Sequence, residues 1–155
     1  YSVMRFNFRG VGRSQGVFDQ GIGELSDAAS ALDWMQTYNA NARATWVAGY
    51  SFGSWIGMQL LMRRPEIDGF ISVAAPASEH DFTFLAPCPS SGILIHGTQD
   101  TNIPVASVNK LADKLNAQKG IEVDMCAIDG ADHYFAKQQD EVIKHSIAYL
   151  DKRGA

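Results

Sequence analysis

A single serine lies between two glycines in the stretch "GYSFG", which runs from Gly49 to Gly53. Such a Gly-x-Ser-x-Gly pattern is typical of a nucleophilic serine on a sharp turn between a strand and a helix. A tight turn that holds an idle serine is the structural alternative, because so short a pattern also arises by chance. A serine hydroxyl is a poor nucleophile without a histidine base and an acid behind that base. The rest of the sequence must therefore supply both.

Two further motifs contain suitable residues. Asp100 lies in "HGTQDTNIP", after a strand-like run, and His133 lies in the loop segment "GADHYF". Taken alone, Asp100 could merely support the amino terminus of a helix, and a lone loop histidine is usually solvated. Ser51, Asp100 and His133 nevertheless occur in the order nucleophile, acid, base, each after a predicted strand. Together they predict acyl-transfer chemistry.

The elements that must position these residues alternate regularly along the chain. Strand-like segments lie at residues 3–8, 45–50, 69–75, 91–97 and 121–128. Helical patterns lie at residues 23–38, 53–64 and 135–152, and Pro104 opens another. This alternation predicts an α/β fold with a mostly parallel sheet of about five strands and helices on both faces. Ligands of such sheets bind at the carboxyl ends of the strands.

The composition limits the classes of partner. The chain has 155 residues with 46% hydrophobic and 19% charged side chains, which predicts one globular domain over residues 1–155. A net charge of −4 argues against nucleic acid or an anionic membrane as the main partner. No apolar run approaches the roughly 20 residues of a membrane span. The opening "YSVMRFNFRG" has no signal-peptide pattern, so we expect a cytoplasmic protein that acts on a small molecule.

The sequence predicts neither a metal nor a cofactor. Cys88 and Cys126 lack CxxC spacing, and their positions at opposite ends of parallel strands argue against a disulfide. The loop "GVGRSQG" resembles a dinucleotide-binding turn, but Gln15 occupies the third glycine position. The four histidines are not at metal-ligand spacing: His80, His96, His133 and His145.

With these motifs the chain resembles the α/β-hydrolases, in particular the small bacterial kind without a cap that is related to dienelactone hydrolases. The resemblance is carried by "NFRGVGRSQG", "GYSFG", "HGTQD" with the later Pro104, and "GADHYF". It implies a serine hydrolase that cleaves carboxylic esters through an acyl-enzyme. Ser51 would be its nucleophile, Asp100 its acid and His133 its base. The backbone N–H of Phe52 would be one donor to the oxyanion.

The spacing of the motifs bears on substrate size. Predicted helices and strands fill the intervals between Ser51, Asp100 and His133, and they leave no room for an inserted cap. An open site suits small or short-chain esters.

The start of the chain departs from the family pattern. Members normally carry two or three strands before the equivalent of residues 3–8, and a loop among them supplies the second oxyanion donor. Nothing precedes Tyr1 in this sequence. We therefore expect an N-terminally shortened fold whose exposed sheet edge pairs in a homodimer. The alternative function is a non-catalytic or weakly active module used for binding or assembly.

Overall fold

The computed structural model describes residues 1–154, and the chain divides into two compact units. The first unit is Tyr1–Arg43, and the second begins at Ala44. The single domain expected from the chain length stays a prediction. In the part of the chain that the structure describes, every helix is too short or too polar to cross a lipid bilayer.

The first unit contains one helix, α1 (Ile22–Tyr38), which confirms the helix expected there. The strand expected at residues 3–8 is a wrong prediction, because these residues are not in a strand. A strand requires ladder hydrogen bonds to a partner, and within residues 1–43 no other segment is a strand. The alternating pattern of "VMRFNF" therefore does not report a buried face, and Val3 is 80% exposed.

Two carboxylates of α1 hold the preceding loop. Asp27 accepts hydrogen bonds from the Arg9 backbone N–H at 2.9 Å and from its guanidinium Nη2 at 2.8 Å. Glu24 is buried and accepts from the backbone N–H groups of Asp19 and Gly21, each at 2.8 Å. Burial alone would raise the pKa of Glu24, but these amide donors lower it overall. The loop is thus anchored by charge-assisted hydrogen bonds.

The second unit is built on a parallel sheet in the order β1-β2-β3-β4. Its strands are β1 (Trp46–Tyr50), β2 (Gly69–Val73), β3 (Gly92–Gly97) and β4 (Val123–Ile128). The helices that follow three of these strands are α2 (Phe52–Leu61), α3 (Val105–Asn116) and α4 (Gln139–Lys152). A 3₁₀ turn (Thr83–Leu85) lies between β2 and β3. The expected parallel α/β architecture is confirmed, with four strands in place of about five.

Both faces of this sheet carry helices. On one face, Ile71, Ile93 and Ile95 form a buried cluster with Tyr149 of α4. On the other face, buried Ser54 of α2 and buried Ser72 of β2 share a hydrogen bond between their hydroxyls. Successive side chains of a strand point to opposite faces of the sheet, so neighbouring residues of β2 contact different helices. The sheet is therefore covered on both sides, as a parallel sheet requires.

Two helices are shorter than their sequence patterns predict. We expected the second helix to reach Arg64, but α2 ends at Leu61. Pro65 disfavours helical backbone in the residue before it. We expected the last helix to begin near Phe135, but α4 begins at Gln139 because Phe135 has left-handed backbone with φ 52°.

The ion pair of the first unit predicts a pH-dependent stability. The Arg9 side-chain hydrogen bond lowers the pKa of Asp27, against an opposing effect of burial. A carboxyl with a lowered folded-state pKa contributes stability above the ordinary aspartate pKa of about 4 and loses it as the pH falls through its folded-state value. Asp27→Asn should therefore lower the melting temperature near neutral pH.

Circular dichroism melting between about pH 7 and about pH 3 measures this effect. We expect the difference between Asp27→Asn and the wild type to shrink as the pH falls, because the wild-type carboxyl then becomes protonated. Asp113→Asn makes the same change of charge on an exposed position of α3 and is the matched control. A difference that stays constant with pH contradicts the assignment.

Candidate active site

Ser51 lies on the sharp turn that joins β1 to α2. Its backbone has φ 50° and ψ −120°, so it is one of four residues other than glycine with positive φ among those described. Such backbone costs about 1–3 kcal/mol and persists only where surrounding contacts enforce it. The Ser51 N–H donates to the carbonyl of Val73 at 2.8 Å, which ties the turn to the end of β2. The turn thus holds the serine at the carboxyl end of the sheet.

Asp100 lies in the loop after β3, with its side chain buried. Its Oδ1 accepts hydrogen bonds from the backbone N–H groups of Asn102 at 2.9 Å and Ile103 at 2.8 Å. These bonds satisfy one carboxylate oxygen within the loop. The other oxygen, Oδ2, lies 2.7 Å from Nδ1 of His133. Asp100 therefore supports a partner side chain rather than the amino terminus of α3.

His133 connects the two other side chains. Its Nδ1 lies 2.7 Å from Asp100 Oδ2, and its Nε2 lies 3.1 Å from Ser51 Oγ. The carboxylate accepts only, so the partner pattern assigns the proton to Nδ1 and leaves Nε2 to accept from the serine hydroxyl. The structure thus brings Ser51, His133 and Asp100 into one chain of hydrogen bonds. An imidazole in this arrangement can remove the serine proton and return it to a leaving group.

Tyr50 holds the histidine loop from the last position of β1. Its hydroxyl donates to the backbone carbonyl of His133 at 3.0 Å, and the two rings lie 5.5 Å apart. Burial, together with the nearby Tyr134 and the carboxylates of Asp100 and Asp132, raises the pKa of Tyr50. The phenol therefore keeps its proton and remains a donor. This contact fixes the loop beside the residue that precedes the serine.

The fourth predicted site residue, Phe52, directly follows Ser51 and is the first residue of α2. The amino end of a helix favours negative charge because its first N–H groups point outward along the axis. Among residues 1–154, no group of three or more His, Cys, Asp or Glu side chains could hold a metal ion.

Comparisons with known proteins agree with this geometry. The model of the X-Pro dipeptidyl-peptidase (S15) family matches residues 1–88, and the model of the prolyl oligopeptidase family matches residues 88–153. A crystal structure from Agrobacterium tumefaciens, of a protein of unknown function regarded as a candidate α/β hydrolase, is 57% identical. It superposes with a TM-score of 0.92 over 96% of this chain and 68% of its own.

A second similar structure belongs to a protein whose description also names the catalytic class. An α/β serine hydrolase homologue from Coxiella burnetii is 30% identical, with a TM-score of 0.81 over 94% of this chain and 67% of its own. This chain belongs to the α/β serine hydrolases. The hydrolase is also 47% identical to an uncharacterised protein of Rickettsia prowazekii, over 97% of this chain and 65% of that relative. It thus spans slightly less than two thirds of that curated relative's length.

The two glycines that flank Ser51 in this hydrolase have different roles. A Cβ on Gly49 would overlap the backbone of Gly53 and Ser54 where the helix crosses the strand end. A Cβ on Gly53 would meet nothing within 4 Å. Close approach of backbone therefore requires a glycine at position 49 but not at position 53, because the crowded side of the turn is that of the strand.

Sequence reasoning missed several neighbours of the hydrolase site. His96 was considered only as a metal ligand and as part of "HGTQD", yet its Nε2 lies 3.5 Å from Asp100 Oδ2. His80, from the loop after β2, stacks on Trp55 of α2 at 4.3 Å between ring centroids. The spacing of "HGTQD" alone could have indicated the first contact, because its histidine and aspartate are four residues apart. No sequence signal joins the loop to the helix in the second contact.

The asymmetry of the turn gives a matched pair of variants. Gly49→Ala should destabilise the hydrolase by roughly 2 kcal/mol, because backbone must shift to accept the methyl group. This corresponds to a melting temperature about 4–8 °C lower for a chain of this size. Gly53→Ala should raise stability by up to about 1 kcal/mol, because alanine is favoured over glycine in a helix. Thermal unfolding measures both, and equal melting temperatures for the two variants would contradict the predicted difference.

Proposed function

We propose that this protein is a serine hydrolase that cleaves small or short-chain carboxylic esters through an acyl-enzyme. The observation that carries the proposal is the double contact of the His133 ring, with Ser51 Oγ on one side and Asp100 Oδ2 on the other. A serine held by strained backbone and bonded to a buried imidazole has the parts that covalent acyl transfer needs.

In the first half-reaction, Ser51 Oγ attacks the ester carbonyl carbon while Nε2 of His133 takes the hydroxyl proton. Asp100 keeps the ring in the required tautomer and stabilises the imidazolium that forms. The carbonyl oxygen becomes an oxyanion, and we expect the backbone N–H of Phe52 at the start of α2 to stabilise it. When the carbon–oxygen bond breaks, His133 returns the proton to the leaving alcohol.

In the second half-reaction, water attacks the acyl group on Ser51 and His133 takes a proton from that water. Collapse of this second intermediate releases the carboxylic acid and returns the proton to Ser51 Oγ. The free side chain and the original His133 tautomer are restored. The cycle needs no metal or cofactor to balance.

Two features support small substrates with an apolar part. From Ser51 to His133 the chain is occupied by α2, β2, the 3₁₀ turn, β3, α3, β4 and their short connections, without an inserted domain. Phe52, the residue after the nucleophile, has two aromatic neighbours. Its ring centroid lies 5.9 Å from that of Trp55 and 6.3 Å from that of His80. Such rings favour apolar acyl or alcohol groups over charged ones.

A peptidase is the second candidate, because both matching family models describe peptidases. Amide cleavage would use the same residues, with His133 protonating an amine instead of an alcohol. A p-nitroanilide of a dipeptide ending in proline and a short p-nitrophenyl ester separate these two candidates. Faster turnover of the ester supports our proposal, and exclusive turnover of the anilide overturns its substrate class.

Replacing the nucleophile tests the mechanism. Ser51→Ala should lower kcat for a short p-nitrophenyl ester by roughly 10⁴-fold or more, because no acyl-enzyme can form. A fluorophosphonate probe should label the wild type at Ser51 and leave the variant unlabelled. Ser78→Ala changes an exposed serine of the loop after β2 and should keep both turnover and labelling.

Unchanged turnover in Ser51→Ala would exclude this serine as the nucleophile. A wild type with a folded circular dichroism spectrum but no labelling and no turnover supports the non-catalytic module instead.

We also propose a homodimer that forms through the edge of β1, which pairs only with β2 in the sheet of described residues. An unpaired strand edge can add a strand from a second copy. Light scattering after size exclusion should give twice the chain mass at micromolar concentration. Ala48→Lys on the β1 edge should produce monomers, whereas Ala127→Lys on the opposite β4 edge should not. A monomeric wild type would contradict the dimer.

The cytoplasmic location of the protein stays a prediction.

A further inference from the structure

His96 is a fully buried polar residue for which the proposed mechanism has no use. It lies on β3 and is 0% exposed. Its Nε2 lies 2.8 Å from the carbonyl oxygen of Ile103 and 3.5 Å from Asp100 Oδ2. Its Nδ1 is buried and has no hydrogen-bond partner among the described residues. A buried polar atom without a hydrogen-bond partner costs free energy, so its presence here calls for an explanation.

The contacts of the ring determine its tautomer. Nε2 faces two oxygen atoms that only accept, so it carries the proton. His96 therefore presents its Nε2–H to the loop containing Asp100.

The Ile103 peptide joins His96 to Asp100 a second time. Its carbonyl accepts from His96, and its N–H donates to Asp100 Oδ1 at 2.8 Å. The ring thus lies 3.5 Å from Oδ2 and is linked to Oδ1 by hydrogen bonds through this peptide. Since Oδ2 is the atom that meets His133, a change in the rotamer of Asp100 would break the contact with the base.

The loops that carry Asp100 and His133 pack closely against each other. A Cβ on Gly97 would overlap the carbonyl oxygen of Ala131, so the Asp100 loop lies directly against the His133 loop. The Gln99 N–H donates to the same carbonyl at 2.9 Å. These bonds fix the backbones of the loops. The carboxylate of Asp100 is held separately, by the N–H groups of Asn102 and Ile103 on Oδ1 and by the rings of His133 and His96 beside Oδ2.

We propose that His96 is a positioning residue of the hydrolase, whose Nε2–H holds the Ile103 peptide and, through the N–H of that peptide, the Asp100 carboxylate in the orientation that supports His133. The inference rests on the proposed function for its effect on turnover, but its structural part does not depend on activity. His96 touches neither the substrate nor the reacting atoms. Its loss should therefore lower kcat and leave KM nearly unchanged.

Three variants test this role. His96→Met fills a similar volume but removes the donor. His96→Gln keeps an N–H donor near the place of Nε2. Leu94→Met changes another fully buried residue of β3 without touching Asp100, and it controls for packing. Melting temperatures establish that each variant is folded.

The first readout is turnover of the p-nitrophenyl ester. We expect kcat of His96→Met to fall by about 10–100-fold, since small misalignments of catalytic groups have effects of this size. KM should change by less than about threefold. His96→Gln should recover most of the loss, and Leu94→Met should keep the wild-type kcat. Equal losses in His96→Met and His96→Gln, or a loss in KM alone, would overturn the proposal.

The second readout does not need catalysis. An imidazole N–H bonded to a carboxylate gives a proton resonance far downfield of the amide region, and Asp100→Asn identifies it by its disappearance. The resonance should be lost or broadened in His96→Met and retained in His96→Gln and Leu94→Met. An unchanged resonance in His96→Met refutes the positioning role. If the resonance behaves in this way but the wild type cleaves no ester, the proposed function is refuted and the positioning role is not.

Discussion

The ring of His133 must meet Ser51 with one nitrogen and Asp100 with the other, and this double contact constrains the whole second unit. The three residues come from loops after β1, β3 and β4, so the ends of these strands must lie at one edge of the sheet. Parallel strands provide that arrangement, because all their carboxyl ends point the same way. The contacts at 2.7 and 3.1 Å then require the loops to be held to within a fraction of an ångström.

The contacts around the site offset the free-energy cost of a strained serine backbone and a buried carboxylate. Ser51 has backbone that a residue with a side chain rarely adopts, and the bond from its N–H to Val73 helps to enforce it. Asp100 is only 7% exposed, but two backbone N–H groups and the His133 ring satisfy its carboxylate. A buried charge with such partners is tolerated, whereas an unpaired one is not. The polar groups of the site therefore stabilise one another.

Much of the fold could be predicted from the sequence. Strands at 45–50, 69–75, 91–97 and 121–128 and the helices after three of them appear close to their expected places. The strand at residues 3–8 was wrong because alternation of side chains describes a strand only where a partner pairs with it. The start of α4 was misplaced because apolar periodicity does not reveal the left-handed backbone of Phe135. In both cases the spacing of apolar residues did not contain the deciding information, which was the presence of a strand partner or the backbone conformation of one residue.

For the site, the sequence by itself determined which residue types follow which strands. Ser51, Asp100 and His133 could be chosen because a turn flanked by glycines, and polar residues at strand ends, are local features. Only the tertiary structure decided the distances between them, the single crowded glycine of the turn, and the contact between His96 and Asp100. The physical reason is the distance along the chain over which each kind of interaction acts. Local backbone preferences act over a few residues, whereas hydrogen bonds such as that between Ser51 and His133 join segments that only packing of the sheet and its helices brings together.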